Sequence, residues 1–264
     1  MGNIKISIIT ITYNSEKTVE ETIRSVLNQD YENIEYVIID GGSTDSTLDI
    51  VNNYRDRIAC VISEKDKGIS DAFNKGIQNA TGELIGIINS DDVLLPNALS
   101  KVASYYDPLT EVYRGNTIVW NAKTQYKCRE IPSMKFPVVP YFIHVSHQGT
   151  FITRKAYSKY GLFDLNFRYA MDLELLCRFY RSGSKFKYMD VDVALFRVEG
   201  DGVTSDSLSK KKEELKYLVV KNGGSSFQAW LYYANLKCID CIKKILNIFG
   251  EDFKRKLRYR PTNN

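Results

Sequence analysis

Four short apolar, β-branched runs alternate with segments of helical period in the first hundred residues, and this alternation constrains the fold more than any other feature of the chain. Residues 4–12, 34–40, 59–63 and 83–89 read as strands buried on both faces. Between them, residues 15–28 place Val19, Ile23, Val26 and Leu27 on one helical face, with Ser15 as the expected N-cap. Further helices are expected near 48–54 and over 70–78. Strands that alternate with helices pair in parallel, because a parallel pair needs a long crossover. The expectation is an α/β fold with a mainly parallel central sheet flanked by helices. In such sheets ligands bind beyond the carboxyl ends of the strands. Each strand here leaves polar groups at that end: Thr12, Tyr13 and Asn14; Asp40; Glu64 and Asp66; Asn89, Asp91 and Asp92.

The fourth end, Asn89-Ser90-Asp91-Asp92, is the most demanding. Adjacent carboxylates closing a buried strand are costly unless compensated. One account makes them the cap of the next helix, with Pro96 in its first turn. The other gives them a hard divalent cation, Mg²⁺ or Mn²⁺, which takes carboxylate and phosphate oxygens. A dinucleotide fold would show G-x-G-x-x-G after the first strand, and a P-loop G-x-x-x-x-G-K-[ST]; the chain has neither.

The chain of 264 residues carries a net charge of +4, unevenly spread. From Ser205 onward 13 Lys and Arg face 6 Asp and Glu, an excess of seven, so the rest of the chain stands at −3. A basic tail follows a near-neutral body, which suits an anionic surface or partner. The sequence opens almost directly on a strand, without the basic and apolar regions of a signal peptide, and no apolar run approaches the roughly 20 residues that cross a bilayer. Five irregularly spaced Cys do not form a disulfide framework, so a reducing cytoplasmic setting is expected.

Four ordered motifs carry a family resemblance: Thr12-Tyr13-Asn14 after strand one; the run 37–45 containing Asp40-Gly41-Gly42-Ser43; the run 63–76 containing Asp66-Lys67-Gly68; and Asn89-Ser90-Asp91-Asp92. Together they resemble the family 2 glycosyltransferases of the non-processive, bacterial surface-polysaccharide type, over roughly residues 4–204. The resemblance implies the GT-A fold, a Rossmann-like nucleotide-diphospho-sugar transferase architecture. It also implies a metal-dependent, inverting transfer from a nucleotide sugar to a saccharide or lipid-linked saccharide acceptor in polysaccharide, O-antigen or capsule biosynthesis. Thr12, Tyr13, Asn14 and Asp40 would hold the base and ribose; a carboxylate that accepts the uracil imide N–H favours a UDP-sugar. Asp66, Gly68 and Asp71 would line the ribose and donor sugar, while Asn89, Ser90 and Asp91 support a metal whose direct ligand is Asp92. His147 and Gln148 would face the donor sugar or acceptor, and Arg197 the diphosphate. Asp172, opening a helix over 172–181, aligns with the catalytic base. No nucleic-acid partner is expected. A catalytically silent nucleotide-sugar-binding protein on the same fold is the alternative.

The expected division is a catalytic region over 1–204, with a nucleotide-sugar half at 1–106 and an acceptor half at 107–204, followed by a basic amphipathic helical tail over 205–264. In the second half, residues 111–120 and 125–129 read as paired strands. The loop at 196–204 would fold over the donor. No Gln-x-x-Arg-Trp run is present, which points to one sugar per encounter. In the tail, Phe227, Trp230, Leu231, Ala234, Cys238, Cys241, Ile242, Ile245, Leu246 and Phe249 share a face, with a basic run at 254–260. That stripe either packs on the body or lies on an anionic leaflet at the cytoplasmic face of the membrane.

Overall fold

The computed structural model describes residues 4–137, 145–198 and 208–248, with side chains in the last stretch described for 212–235, 237 and 238. The expectations for the loop at 199–204, for the tail stripe from Cys241 on and for the run at 254–260 lie outside the described residues. The first half forms as the alternation requires: β1 (Ile6–Thr12), α1 (Val19–Leu27), β2 (Ile34–Asp40), α2 (Thr47–Asn52), β3 (Cys60–Ser63), α3 (Ile69–Asn79) and β4 (Leu84–Ile87). β1 pairs in parallel with both β2 and β4, and β2 with β3. Alternate side chains feed two cores. Ile9, Val37, Ile39, Ile85 and Ile87 join the cluster on one face, and Ile6, Ile8, Tyr36, Ile38 and Leu84 that on the other.

β5 (Val93–Leu94), α4 (Ala98–Tyr105), β6 (Val112–Asn121), β7 (Tyr126–Glu130), β8 (Thr150–Thr153), α5 (Arg154–Tyr160), α6 (Met171–Arg181), β9 (Phe186–Val198), α7 (Leu208–Lys221) and α8 (Ser226–Ile248) complete the described chain. The single sheet runs β3-β2-β1-β4-β8-β6-β9-β5, with β7 paired to β6. β8 is antiparallel to its neighbours β4 and β6, whereas β9 is parallel to β6. The start of β8 therefore lies at the carboxyl end of β4, and the residues before it meet the Asn-Ser-Asp-Asp turn.

Two expectations need correction. α1 starts at Val19 with Thr18 at its N-cap, one turn later than Ser15. The Ser15 hydroxyl is instead bonded to Ser90 Oγ at 2.8 Å, and its N–H donates to Thr47 Oγ1 at 2.7 Å. The described start of the tail stripe also does not pack on the body; α8 buries a different face. Ala229 and Tyr232, with Leu215, Leu218 and Val219 of α7, join the cluster that holds α3 and α6. Phe227, Trp230 and Leu231 point outward, the first two rings stacked at 6.0 Å. Among the described residues no helix is long and apolar enough to cross a membrane.

At the opposite edge from the polar strand ends, Glu35 ties the first strands to the α3–β4 connection. Its carboxylate accepts from Ser7 Oγ (2.5 Å), Thr81 N (2.6 Å) and Thr81 Oγ1 (2.7 Å), and pairs with Lys5 Nζ at 2.8 Å. Burial alone would raise its pKa; the bonds from Lys5, Ser7 and Thr81 outweigh that and hold it at about 2. A carboxyl depressed on folding stabilises fully above its unfolded pKa and loses that contribution as pH falls toward the folded value. Glu35→Gln is expected to cost about 1–3 kcal/mol at neutral pH. In thermal melts the gap from the parent should close between the ordinary 4.5 and about 2; a gap of constant size over that window would refute this role.

Candidate active site

The carboxyl ends of β1, β2 and β4, the approach to β8 and the start of α6 meet at one edge of the sheet. Four buried side-chain atoms there have no protein partner: Thr12 Oγ1, Asn89 Oδ1, His147 Nε2 and Asp172 Oδ1. Buried polar groups are normally hydrogen-bonded, so a cluster of exceptions marks where a polar ligand or water completes the structure.

Beyond β1, the Tyr13 ring is 62% exposed, ready to stack on a planar group. Asn14 has a left-handed backbone (φ 49°), and its Oδ1 accepts from Thr44 N at 2.9 Å, so it fastens β1 to the loop after β2. Asp40 is not available to a base. It has no exposed surface, and its carboxylate accepts from Gly42 N (3.1 Å), Ser43 N (3.0 Å), Ser43 Oγ (2.5 Å) and Ser63 Oγ (2.6 Å). The carboxylate that lies nearer the Tyr13 ring is that of Asp66. It is half-buried, with Oδ2 only 2.6 Å from where a Cβ on Gly41 would lie, a point 3.5 Å from the Tyr13 ring. Its Oδ1 accepts from Gly68 N at 2.8 Å, and Gly68 adopts φ +118°, a conformation that favours glycine. Asp71 turns back onto Lys67 N at 2.9 Å and lies 3.7 Å from Lys75.

The Asn-Ser-Asp-Asp turn faces two ways. Asp91 is exposed, whereas Asp92 is wholly buried. Asp92 Oδ2 accepts from Gln148 Nε2 at 2.8 Å and Oδ1 from Arg197 N at 3.2 Å. Burial, then the Asp91 charge, pushes its carboxyl well above the usual carboxylate range, against the pull of His147 and these two donors. Asp92, expected as the direct metal ligand, thus has each carboxylate oxygen engaged by one protein donor. Gln148, 3% exposed, also accepts from Ser146 Oγ at 2.7 Å, so its amide is engaged at both ends by protein. Arg197 lies over the Trp120 ring at 4.9 Å, donates to Asp91 O at 3.2 Å and pairs with Glu21, so it braces the turn instead of reaching out to a diphosphate.

Asp172, in the first turn of α6, has its Oδ2 2.9 Å from His147 Nδ1. Phe73 flanks the imidazole at 5.3 Å between centroids. Burial lowers the basicity of His147, but Asp172, Asp92 and Asp91 outweigh it and raise its pKa, favouring an imidazolium on the Asp172 carboxylate. Beside this pair lies a cavity of about 20 Å³, room for one water, lined by Val145, Thr150, Tyr157, Phe163 and Leu175 among others. Nothing in the sequence singles out Tyr157, an isolated aromatic in the helix after β8. The Gly41-Gly42 doublet was the legible sign that a side chain from elsewhere fills the space beside Tyr13.

The family profile described as Glycosyl transferase family 2 matches residues 7–160, more than half of the chain. The protein is a family 2 glycosyltransferase. Among curated relatives, the transferase is 28% identical over 220 residues to the putative glycosyltransferase EpsE of Bacillus subtilis, covering 78% of this chain and 76% of that one. It is 40% identical over 96 residues, 36% of this chain and 38% of the other, to WfaP of Escherichia coli, a UDP-Glc:alpha-D-GlcNAc-diphosphoundecaprenol beta-1,3-glucosyltransferase. Among solved structures, S. aureus TarS 1-349 in complex with UDP-GlcNAc superposes at TM-score 0.67 and 21% identity, over 88% of this chain and 71% of that one. The mannosyltransferase PcManGT from Pyrobaculum calidifontis, in complex with GDP-Man and Mn2+, matches at TM-score 0.66 and 14% identity, over 96% and 82%. The glycosyltransferase thus has the GT-A fold.

The inward turn of Asp92 in this glycosyltransferase can be checked without substrate. Gln148→Leu strands one Asp92 oxygen and should lower stability by about 1–3 kcal/mol. Asp91→Asn, an exposed change, should stay within about 0.5 kcal/mol of the parent. Equal losses in thermal unfolding would contradict the assignment.

Proposed function

We propose that the enzyme moves one sugar, with inversion, from a UDP-sugar to a saccharide or lipid-linked saccharide acceptor in surface-polysaccharide assembly, with Asp172 as general base. The observation that carries this is the state of the Asp172 carboxylate: one oxygen is held by His147 and the other is buried without a protein partner, at the sheet edge where the Asn89 and Thr12 side-chain oxygens are also unpartnered. A carboxylate so fixed can take the proton of an acceptor hydroxyl. As that proton passes to Asp172 Oδ1, the acceptor oxygen bonds to the anomeric carbon and the bond to the UDP phosphate breaks, the electron pair leaving with UDP. One displacement inverts the centre. The UDP complexes of TarS and the donor named for WfaP favour uridine. The diphosphoundecaprenol in the latter's name favours a lipid-linked acceptor.

Tyr13 and Asp66 would receive the uracil, ring against ring and carboxylate against imide N–H. The residues at the turn fit a cation only if the substrate shares it. Among the described residues no cluster of three or more His, Cys, Asp or Glu could hold a metal ion, while Asp91 presents an exposed carboxylate at the end of β4. A Mg²⁺ or Mn²⁺ ion is commonly held by one carboxylate with phosphate oxygens and waters, so Asp91 would hold it. Such an ion would neutralise charge on the departing diphosphate.

Asp172→Asn keeps the shape and removes the base. UDP release from UDP-glucose and UDP-N-acetylglucosamine with Mn²⁺ should fall about 10²-fold or more, with UDP affinity by calorimetry unchanged. Turnover close to the parent's would sink the base assignment. Gly41→Ala would displace Asp66 Oδ2, the far end of a side chain; UDP affinity should drop about tenfold, or ~1.4 kcal/mol, at nearly unchanged melting temperature. Unaltered affinity would remove Asp66 from the uracil site.

A further inference from the structure

We propose that Glu214, on α7, is a positioning residue for Asp172, acting through the chain that enters α6; this rests on the reading of Asp172 as the base. α6 has no side-chain cap of its own at Ala170. The backbone N–H groups at a helix entrance need partners from somewhere. Here a residue more than forty positions later supplies one for Ala170, the N-cap, and for the two residues before it. Arg168 N donates to Glu214 Oε1 at 2.9 Å, while Tyr169 N and Ala170 N donate to Glu214 Oε2 at 2.8 and 2.9 Å. Three successive N–H groups converge on one carboxylate, a cradle for negative charge. Its charge at the helix N-terminus also complements the α6 dipole.

The rest of α7 grips the same stretch. Lys221 Nζ reaches Asp164 Oδ2 at 2.5 Å and Glu174 Oε1 at 2.9 Å, and Glu174 is 1% exposed. The Tyr217 ring packs on Phe167 at 5.7 Å. Leu215, Leu218 and Val219 are buried in the cluster that contains Leu173, Leu175 and Leu176 of α6. Asp172 lies between the points held by Glu214 and Lys221, two residues past Ala170. If the entrance to α6 shifts, Asp172 moves relative to His147, which is fixed from the other side by Phe73 and by the neighbouring Gln148–Asp92 bond. A displacement of about 1 Å at a reacting group costs up to ~10²-fold in rate. Asp172 and α7 both lie beyond the residues 7–160 of the family match, so base and brace belong to the same later part of the chain.

The full-length enzyme is compared as parent, Glu214→Ala, Glu214→Gln, Leu215→Ala and Asp172→Asn, reading kcat and donor KM for UDP release from UDP-glucose and UDP-N-acetylglucosamine with Mn²⁺, UDP affinity and melting temperature. Glu214→Ala is expected to lower kcat about tenfold or more with UDP affinity and donor KM held. Glu214→Gln, which sets an amide N–H₂ against a backbone N–H, should fall between parent and alanine. Leu215→Ala thins the packing of α7 without touching the carboxylate; it should lower the melting temperature while kcat stays near the parent's. The proposal is overturned if Glu214→Ala turns over like the parent while Asp172→Asn is inactive, or if Leu215→Ala loses as much kcat for the same loss of melting temperature. Retained turnover in Asp172→Asn would instead remove the base assignment, and this positioning role with it.

Discussion

The carboxylate of Asp92 is the interaction on which the site depends. A buried charge is tolerated only where donors converge on it, and those around Asp92 come from distant parts of the chain: Gln148 before β8 and the backbone of Arg197 near the end of β9. Each bond has a consequence one residue away. With Gln148 seated, its neighbour His147 is carried to Asp172. With Arg197 seated, its guanidinium lies over Trp120 and holds the main chain of Asp91. With Asp92 drawn inward, Asp91 faces solvent. The raised basicity of His147 has the same origin, since Asp172, Asp92 and Asp91 all act on it.

The strand ends were legible because strands buried on both faces are continuous apolar runs, and a polar residue closing such a run is conspicuous. Which way each polar residue turns was not legible. Asp40 and Asp92 close their strands much as Asp66 and Asp91 follow theirs, yet the first two are enclosed. The difference is the supply of donors: Gly42, Ser43 and Ser63 around Asp40, Gln148 and Arg197 around Asp92. The donors to Asp40 are partly local and could be suspected from Gly41-Gly42-Ser43. Those to Asp92 are 56 and 105 residues away, beyond the reach of any local pattern.

The second half was less legible for a related reason. β5 has two residues, too few for a period to register. β9 has thirteen, but only Met189, Val191 and Val193 alternate with polar residues, Asp190 and Asp192, whose carboxylates pair with the Arg129 guanidinium. α5 begins at Arg154, and its N-cap Thr153, whose hydroxyl accepts from Ala156 N, is the last residue of β8, so strand and helix share a boundary with no turn signal between them. The tail misled for the opposite reason. A single apolar face drawn on α8 ignores that α7 packs beside it, which draws Ala229 and Tyr232 inward and leaves Phe227 and Trp230 outside.

The run that opens α3 illustrates why a motif can be recognised without its task being known. Gly68 and Asp71 shape the loop on the donor side. The next turn of the same helix faces the other half of the chain. Ser70 Oγ donates to Phe167 O at 2.8 Å, and the Asn74 amide bonds to both Phe163 O and Phe163 N at 2.9 Å. Between them Phe73 packs against Phe163 and His147 at 5.0 and 5.3 Å. An in-line displacement needs donor and base in fixed relation. In this fold they sit on separate halves, and α3 touches both: its first turn meets the loop that carries Asp66, and its second holds the segment leading to Asp172. With Asp172 as the proposed base and the Asp66 loop as the proposed donor side, a substitution at Asn74 would act on the former while lying next to the latter, and only its separate effects on kcat and on nucleotide affinity could tell the two roles apart.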